Sequence, residues 1–295
     1  MNGSSLVSFC IITYNQENYI KDAIKGALAQ TYSPMEIIIS DDNSTDGTYD
    51  EILKAVEGYE GPHKIIINKN ESNMGIREHV NDLLYNKSNG EYILLAAGDD
   101  VSEPERTEEY VKCFERFPEV MSVSCLSAEV DKDLNLINKD TEWNGSISIY
   151  NADDYIHYRD FIIYSGDSRG IRRKVIESFP PLECSASEDI FLFIRSLMIG
   201  SGCYIRKPLV NRRNHENNFS RRKTKKQDVF EKQANIDIDY AISAGYISSV
   251  KAAKLKNKVH HVRDLFELYT GSPYSSFKAF FYRMLSKMFG VKKYK

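Results

Sequence analysis

The sequence predicts an α/β fold: a mostly parallel central sheet flanked by helices, followed by a helical C-terminal extension. Short apolar runs alternate with amphipathic segments through the first hundred residues, at a spacing typical of parallel strands joined by right-handed helical crossovers. Two of these runs end abruptly in paired aspartates, Asp41-Asp42 and Asp99-Asp100. The carboxyl ends of parallel strands face the crevice in which α/β proteins bind ligands, so the aspartates mark the expected site.

The first half of the chain contains four predicted strands separated by three predicted helices. Continuous apolar runs predict the strands, at residues 6–12, 36–40, 63–67 and 91–97. Apolar residues three and four positions apart predict the first helix from about Ile20. The second helix is expected over 46–57, and the third follows Gly75 and ends near Asn86.

The second half alternates less regularly. A helix over 104–117 has proline at an early position, where the missing N–H costs nothing, and a strand is expected at 120–130. Residues 131–160 are interpreted as polar loop mixed with aromatic, helical segments. A helix is predicted from near Ser187 and a strand at 203–210, and the last seventy residues are predicted to be helical.

The composition is ordinary for a globular protein, with 42% apolar and 27% charged residues. The formal net charge of -3 gives no reason to expect a nucleic-acid partner. Five scattered cysteines, none with metal-ligand spacing, fit a reducing cytoplasm better than a disulfide scaffold. The sequence has no signal-peptide pattern, and no apolar stretch approaches the roughly 20 residues of a spanning helix. We therefore expect a cytoplasmic protein that is soluble or attached to a membrane surface.

Four carboxylates can meet at one edge of the predicted sheet, because parallel strands end on the same side. Such a cluster is costly unless a cation or the N–H groups of a ligand compensate its charge. Mg²⁺ or Mn²⁺ that bridges Asp99 to phosphate oxygens is the natural solution. For Asp41 and Asp42 a plainer interpretation stays open, since Asp and Asn also serve the turn between a strand and a helix.

Four motifs follow one another through the first hundred residues: Val7-Ser-Phe-Cys-Ile-Ile-Thr-Tyr-Asn15, Ser40-Asp-Asp-Asn-Ser-Thr-Asp-Gly-Thr48, Asn73-Met-Gly75, and Gly90-Glu-Tyr-Ile93 with Gly98-Asp-Asp100. Their order and spacing across residues 6–104 resemble family 2 glycosyltransferases of the GT-A fold, with weaker echoes to about 220. The resemblance implies a Rossmann-like GT-A domain over 1–220, with a nucleotide-sugar donor half (1–100) and an acceptor half (101–220). Residues 221–295 would form the helical extension.

The resemblance implies that four residues before the second aspartate pair contact the nucleotide-sugar donor. Tyr14 would lie against the base, although a packed aromatic at the sheet edge is the plainer interpretation. Asp42 would accept a hydrogen bond from uracil N3–H, a contact that favours uridine nucleotides, and Asp41 is the weaker candidate for it. Arg77 would reach the pyrophosphate, unless it is only a solvated helix arginine.

The second aspartate pair is assigned to the metal and the donor phosphates. Asp99 matches the last carboxylate of the family's Asp-x-Asp motif, which holds Mg²⁺ or Mn²⁺. This chain departs from the motif, because Ala97 replaces the first aspartate and Asp100 adds a carboxylate. Ligation through Asp99 with phosphates and water completing the shell is still reasonable for Mg²⁺.

Downstream, residues 208–220 resemble the family's strand followed by Arg-x-x-His and Ser. His215 would complete the metal shell or contact the diphosphate, and Arg212 or Arg213 would neutralise phosphate charge. A histidine in a polar loop is more often only a surface residue, so that interpretation stays open. The basic run 221–226 would order over bound diphosphate or stay a solvated charged stretch.

Inverting sugar transfer needs a carboxylate that deprotonates the attacking acceptor hydroxyl. In Ser185-Ala-Ser-Glu-Asp189, which resembles the family's Glu-Asp motif, Asp189 matches the general base and Glu188 a neighbour that contacts the acceptor. The same residues suit the first turn of any helix, which is the structural alternative. The Gln-x-x-Arg-Trp motif of the processive synthases is missing, which favours transfer of a single sugar.

The C-terminal segment combines apolar residues at helical spacing with positive charge. Residues 271–295 contain six basic side chains and no acidic one. Such a helix suits an anionic membrane surface, which residues 275–295 would bind at the inner face of the cytoplasmic membrane. The alternative is a helix that docks on the catalytic domain or forms an oligomer with a second subunit.

These observations predict a metal-dependent, inverting glycosyltransferase that moves one sugar from a nucleotide-diphosphate sugar to a glycan or lipid-linked acceptor. The resemblance favours a UDP-sugar donor and a bacterial surface polysaccharide, such as capsule or O-antigen. Two alternatives stay open. A nucleotidyltransferase would share the acidic sheet edge, but residues 13–17 lack its usual Gly-rich, basic phosphate loop. A catalytically inactive nucleotide-sugar-binding module is suggested by Ala97.

Overall fold

The computed structural model describes residues 4–137, 146–157, 168–184, 188–216, 227–269 and 293–294. Within them, ten strands form one sheet. Its first strands are β1 (Val7–Thr13), β2 (Met35–Asp41), β3 (Lys64–Lys69) and β4 (Tyr92–Ala97). β1 lies between β2 and β4, and β3 pairs with β2, all in parallel. Helices cover these strands on both faces, which is why their sequences are continuous apolar runs.

The helices of the first half lie where the apolar spacing predicts them. They are α1 (Ile20–Leu28), α2 (Thr48–Val56), α3 (Ile76–Asp82) and α4 (Arg106–Arg116). α3 continues as a π-helical turn over Leu83–Lys87, which carries the helix to its predicted end.

The second half adds strands on the other side of β4. They are β5 (Val101–Ser102), β6 (Val120–Val130), β7 (Ile147–Tyr150), β8 (Gly170–Arg172), β9 (Ser201–Arg213) and β10 (Lys293–Tyr294). Its helices are α5 (Ala152–His157), α6 (Lys174–Ser178) and α7 (Glu188–Ile199). β8 is antiparallel to both β4 and β6 and joins the two halves, while β6 and β9 are parallel. The mostly parallel α/β sheet is therefore confirmed.

The direction of winding changes at β1. The strand order is β10-β7-β9-β6-β8-β4-β1-β2-β3, with β5 beside β9. The chain thus moves outward from β1 to β3 and then returns to place β4 on the other side of β1. In such sheets ligands bind beyond the carboxyl ends of the strands at this switch point. Here those ends are Thr13, Asp41 and Ala97.

Apolar cores lie on both faces of the sheet. On one face, Ile24 of α1 and Phe114 of α4 pack with side chains of β1 and β2. On the opposite face, Val80 of α3 and Leu192 of α7 pack with alternate residues of the same strands. All four side chains are buried, and burial of each contributes about 1.5–3 kcal/mol. The strands that end at the switch point are therefore held rigidly.

The C-terminal helices α8 (Gln227–Ser243) and α9 (Ser249–Tyr269) pack beside α7. Ala234 and Ile238 of α8 share a buried cluster with Phe191 of α7. The helical prediction is confirmed for these described residues. The predicted domain boundary at 220/221 lies outside them and stays a prediction. Over the part of the chain that the structure describes, we find no helix long and apolar enough to span a membrane.

Several predicted elements differ from the structure. The loop and helix interpretation of 131–160 misses β7, and no sequence pattern predicts β8 or α6, because runs of three to five residues carry little pattern. β9 extends beyond both predicted ends, because it pairs along the length of β6. The helical prediction is wrong at Lys293–Tyr294, which pair antiparallel with β7. The proposed membrane helix falls mostly on residues 270–292, outside the described residues.

Candidate donor-binding and metal site

Two loops at the carboxyl edge of the sheet are joined by reciprocal hydrogen bonds. The amide of Asn15 donates to the hydroxyl of Ser44 at 2.8 Å, and the amide of Gln16 donates to Thr48 at 2.7 Å. In return, the side-chain oxygen of Asn15 accepts from the amide of Thr45 at 2.8 Å. Asn15 has a φ of 53°, a left-handed conformation that Asn adopts more readily than most residues. The polar run after β2 therefore fixes the loop after β1.

Asp41, the last residue of β2, is fully buried, and its carboxylate stabilises the turn that follows it. Its Oδ2 accepts a hydrogen bond from the amide of Ser44 at 3.1 Å, and its Oδ1 accepts from the Ser44 hydroxyl. Its backbone carbonyl accepts from the amide of Asn70 at 2.9 Å. Because both carboxylate oxygens of Asp41 accept from Ser44 in its own turn, the structure favours the turn interpretation over a contact with a base.

Asp42 faces the loop before α3. Its Oδ1 accepts from the amide of Met74 at 2.9 Å and from Asn70 Nδ2 at 2.8 Å, and its Oδ2 accepts from the amide of Gly75 at 2.9 Å. Gly75 has a φ of 80°, which glycine adopts without steric cost. The Asn-Met-Gly motif is thus the backbone shape that brings two amides to one carboxylate. A carboxylate has about four acceptor positions, so these donors leave one for a ligand N–H.

A chain of hydrogen bonds connects Asp42 with the interior. Asn70 Oδ1 accepts from Asn68 Nδ2 at 2.8 Å, and the same nitrogen donates to Ser40 Oγ at 2.9 Å. Ser40 Oγ lies 2.6 Å from Nε2 of the buried His79. Burial lowers the pKa of His79 below its ordinary value, against an opposing increase from Asp42. The last member of this series of hydrogen bonds, the imidazole of His79, is therefore neutral at neutral pH.

On the other side of β1, Asp99 faces His215. Asp99 follows the end of β4, and His215 follows the end of β9. His215 Nε2 lies 3.0 Å from Asp99 Oδ2, although the two residues are 116 positions apart in the chain. The ring of Tyr19 packs against the imidazole, with the ring centroids 4.5 Å apart and the planes tilted by 31°. The structure thus brings together the two residues that the resemblance assigns to the metal.

Arg213, the last residue of β9, holds this arrangement in place. Its amide donates to Asp100 Oδ1 at 2.8 Å, and its Nε donates to the carbonyl of Asp99 at 3.0 Å. Its Nη2 lies 2.9 Å from Asp22 Oδ2, and its Nη1 donates to the carbonyl of Lys132. These contacts bury the guanidinium and favour a positioning role over direct phosphate binding.

A glycine allows the turn that carries Asp99 to approach the loop after β1. A Cβ on Gly98 would lie 2.5 Å from Gln16 Oε1 and 2.7 Å from Thr13 Oγ1, closer than real contacts allow. The amide of Gly98 donates to the carbonyl of Ile12 at 2.9 Å. The Asp99 turn and the Tyr14 loop are therefore direct neighbours.

The Asp99–His215 pair fits two ligands of one divalent cation. In an octahedral shell with metal–ligand bonds of about 2.1 Å, neighbouring ligand atoms lie about 3 Å apart. Asp99 Oδ2 and His215 Nε2 are separated by 3.0 Å. No group of three His, Cys, Asp or Glu side chains in the described ranges is arranged to hold a metal. The imidazole makes Mn²⁺ a better match than Mg²⁺, which prefers oxygen ligands.

The remaining donor candidates lie around this edge. Tyr14 is 43% exposed, which suits a base that stacks on its ring better than the packed-aromatic interpretation. Arg77 donates to the carbonyl of Glu183, and its contact with pyrophosphate stays a prediction. Arg212 pairs with Glu129 at the surface, and its phosphate role also stays a prediction.

Glu188 and Asp189 form the first turn of α7, and both side chains are partly buried. α7 packs against β6 and β9, and β9 leads directly to His215. The catalytic role of Asp189 and the acceptor contact of Glu188 stay predictions. Residues 185–187 and the basic run 221–226 lie outside the described residues.

Sequence reasoning missed the residues that hold the two edge carboxylates. Asn70, which binds Asp42, and Tyr19, which packs on His215, were not predicted. Arg213 was predicted to neutralise phosphate charge, but its contact with the Asp99 turn was not predicted. The one available signal was the alternation of Asn68 and Asn70, since residues two apart in an extended segment share a face.

Comparison with known families agrees with this geometry. The sequence profile described as Glycosyl transferase family 2 matches residues 8–179. The chain belongs to glycosyltransferase family 2. The matched region contains both aspartate pairs and the Asn-Met-Gly loop, and it ends before α7.

Curated relatives align with this chain to different extents. The putative glycosyltransferase EpsE of Bacillus subtilis is 34% identical over 116 residues, 39% of this chain and 41% of EpsE. Chondroitin synthase of Escherichia coli is 26% identical over 262 residues, 85% of this chain and 35% of the synthase. An uncharacterized Mycobacterium tuberculosis protein is 37% identical over 115 residues, 38% of this chain and 32% of that protein. The chain thus spans about a third of the length of the mycobacterial protein and the synthase.

Solved structures confirm the GT-A fold. S. aureus TarS, residues 1–349 in complex with UDP-GlcNAc, has a TM-score of 0.65 at 15% identity, over 86% of this chain and 72% of that chain. Mannosyltransferase PcManGT from Pyrobaculum calidifontis, in complex with GDP-Man and Mn²⁺, has a TM-score of 0.55 at 14% identity, over 97% and 81%. At these identities the likeness shows the fold alone.

Proposed function

We propose that this family 2 glycosyltransferase is a metal-dependent, inverting enzyme that moves one sugar from a UDP-sugar to a hydroxyl of a glycan or lipid-linked acceptor. The observation that carries the proposal is the composition of the sheet edge. Asp42 lies on one side of the end of β1, the Asp99–His215 pair lies on the other, and Tyr14 is exposed between them. A nucleoside diphosphate along this edge meets an acceptor for its base and ligands for its phosphate-bound metal.

The Asp42 carboxylate favours a donor nucleotide whose base presents an N–H group. Uracil N3–H can donate to the carboxylate, whereas N3 of cytosine is itself an acceptor and would be repelled. Guanine also presents an N–H donor, and two of the similar solved structures contain UDP-GlcNAc and GDP-Man respectively. UDP-sugars are therefore the first expectation, and GDP-sugars are the necessary comparison.

Asp99 and His215 would hold Mn²⁺ or Mg²⁺, which when bound neutralises the diphosphate leaving group. The chain itself contributes a fixed geometry. Arg213 anchors the turn that carries Asp99, and the Tyr19 ring lies against His215. Because the pair is largely buried, its charge is less screened than that of a surface pair.

Asp189 is the proposed general base. The oxygen of the acceptor hydroxyl attacks the anomeric carbon, and its proton passes to the Asp189 carboxylate. The bond between the anomeric carbon and the β-phosphate oxygen breaks, and its electron pair leaves with the nucleoside diphosphate. Attack from the side opposite the leaving group inverts the configuration. The position of Asp189 in the first turn of α7, a helix packed against β9, supports this role.

The proposed acceptor belongs to a bacterial surface polysaccharide, such as capsule or O-antigen. Support comes from the names of relatives: the chondroitin synthase of Escherichia coli, and the hyaluronan synthase of Pasteurella multocida, 29% identical over 226 residues. A lipid-linked acceptor would be reached from the cytoplasmic face of the membrane, with residues 275–295 as the proposed anionic-surface contact.

Release of nucleoside diphosphate from a panel of UDP-, GDP- and CDP-sugars tests the proposal. The wild type, Asp99→Asn and Asp189→Asn would be assayed with Mn²⁺ and with EDTA, in the presence of candidate glycan acceptors. We expect metal-dependent release from a UDP-sugar that both variants lose. UDP binding without release from any donor would favour an inactive binding module. Pyrophosphate release from a nucleoside triphosphate and a sugar phosphate would favour a nucleotidyltransferase.

A further inference from the structure

Residues 179–184, between α6 and α7, are held by side chains rather than by secondary structure. Asn81, from the end of α3, accepts from the amide of Leu182 and donates to its carbonyl, both at 2.9 Å. The hydroxyl of Tyr85, in the π-helical turn, lies 2.9 Å from the carbonyl of Pro180. The α3 side therefore fixes the first part of this segment.

The second part of the segment is held from α8, and also by Arg77 of α3 through the carbonyl of Glu183. The side-chain oxygen of the buried Gln233 accepts from the amide of Glu183 at 2.9 Å and from the amide of Cys184 at 2.7 Å. The side-chain nitrogen of Gln233 donates to Asp237 Oδ1 at 2.9 Å. The next described residue after Cys184 is Glu188, where α7 begins. Gln233 thus joins α8 to the chain that leads into α7.

Asp237 binds α7 directly. Arg195 donates to it through Nε at 2.8 Å and through Nη2 at 2.7 Å, and the two side chains are 1% and 0% exposed. A third nitrogen of Arg195 donates to the carbonyl of Pro180 at 2.8 Å. The segment, α7 and α8 therefore close a ring of hydrogen bonds.

A buried ion pair of this kind is better evidence for fixed geometry than for stability. Removing two charges from water costs about as much as their attraction returns, whereas the bidentate fork of arginine fixes both partners in orientation. Arg195 lies less than two turns after Asp189 on the same helix. A contact that fixes Arg195 therefore also fixes the first turn of α7.

We propose that Gln233 is a positioning residue for sugar transfer. Together with Asp237, it sets the place of the first turn of α7 and hence of the Asp189 carboxylate. This inference rests on the proposed function, since it takes Asp189 as the general base. It makes α8 part of the catalytic unit, although the sequence predicts α8 as part of a separate extension.

Gln233→Met tests the proposal, because methionine has a similar volume but neither the acceptor nor the donor. We expect kcat for transfer to fall by about 10- to 100-fold, since a 1 Å misplacement near the reacting groups can have an effect of that size. The Kd for UDP in Mn²⁺ should change much less than kcat, because Asp42 and Asp99 lie on other elements, and Arg77 contacts the segment only through the carbonyl of Glu183. Lys232→Met, at the exposed neighbouring position, is the matched control and should keep the wild-type kcat. Loss of UDP binding together with kcat would show a general structural defect and overturn the proposal.

A double variant distinguishes failure of this proposal from failure of the proposed function. In an Asp189→Asn background, Gln233→Met should have no further effect on the residual rate of transfer. Multiplying losses would show that Gln233 does not act through Asp189, and would overturn its positioning role. Full activity of Asp189→Asn alone would instead remove Asp189 as the base.

Gln233→Asn keeps the test decisive if the methionine variant does not fold. It keeps an amide in the buried site but is one methylene shorter, so its bonds to the Glu183 and Cys184 amides must lengthen. We expect cooperative thermal unfolding, a reduced kcat and a Kd for UDP that changes much less than kcat. A folded Gln233→Asn with the wild-type kcat would contradict the proposal.

Discussion

The two aspartate pairs at the sheet edge have the same sequence but use their two carboxylates in opposite order. In the first pair, Asp41 is bonded into its own turn, and Asp42 faces the loop before α3. In the second pair, Asp99 faces His215, and Asp100 accepts from a backbone amide of β9. Each pair therefore has one carboxylate that builds the turn and one that the site can use.

The difference comes from where the chain bends after each strand. After β2 the bend follows the aspartates, and the amide and hydroxyl of Ser44 fold back onto Asp41. After β4 the bend begins at Gly98, before the aspartates, because only glycine fits against the loop after β1. An acidic pair at the end of a strand thus predicts where the site lies, but not which of the two carboxylates contacts the ligand.

The largest effect is expected in the second pair, from Asp99→Asn. It should lower kcat for UDP release in Mn²⁺ by at least about 100-fold, since a bound divalent cation contributes several kcal/mol to stabilising the developing charge. Asp100→Asn is the matched control, because asparagine keeps an oxygen for the amide of Arg213. Equal losses of kcat in the two variants would contradict the proposed division of roles.

In the first pair, Asp42→Asn should weaken UDP binding by about 10-fold or more, because a hydrogen bond to a charged group contributes about 1.5–3 kcal/mol. Titration calorimetry measures this change, and Asp41→Asn should bind UDP as the wild type does. The same affinity in Asp42→Asn and the wild type would mean that the base binds elsewhere.

Asp41→Ala tests the role of Asp41 in building its turn. This variant leaves the amide of Ser44 without its buried acceptor, which should lower the free energy of unfolding by about 1–3 kcal/mol. Urea unfolding measures the loss, and Asp50→Ala, at an exposed position in the first turn of α2, should change stability by less than about 0.5 kcal/mol. Similar stabilities of the two variants would contradict the assigned role of Asp41.

The smallest effect concerns the histidine on the Asp42 side. Because burial lowers the pKa of His79, the unfolded chain takes up a proton at a higher pH than the folded chain does. Stability should therefore be complete above the unfolded pKa of about 6.5 and should fall as pH drops towards the lowered folded pKa. His79→Gln, whose amide can bond to Ser40 as donor or acceptor, should reduce this fall. Urea unfolding across that pH window measures it, and an equally steep fall in the variant would exclude His79 as its cause.

The sequence could predict those parts of the site that depend on one strand end at a time. The apolar runs of β2 and β4 stop at the aspartates, and parallel strands share an edge, so the placement of Asp42 and Asp99 followed from pattern and topology. The pairing of Asp99 with His215 came only from the family resemblance, because nothing local relates residues so distant in the chain.

The contacts that were not predicted join distant segments. Arg213 reaches Asp100 across 113 residues, and Gln233 reaches Glu183 across 50. No local periodicity records such contacts. β8 joins the two halves of the sheet, yet its three residues are too few to give a strand pattern.

The affinity for UDP with and without Mn²⁺, measured by titration calorimetry, tests most directly whether the two aspartates serve opposite ends of one donor. The wild type should bind UDP more tightly in Mn²⁺. Asp42→Asn should bind more weakly in both conditions and keep the gain from Mn²⁺, whereas Asp99→Asn should lose that gain. The same gain in Asp99→Asn as in the wild type would contradict the assignment, because the metal would then bind away from the Asp99–His215 pair.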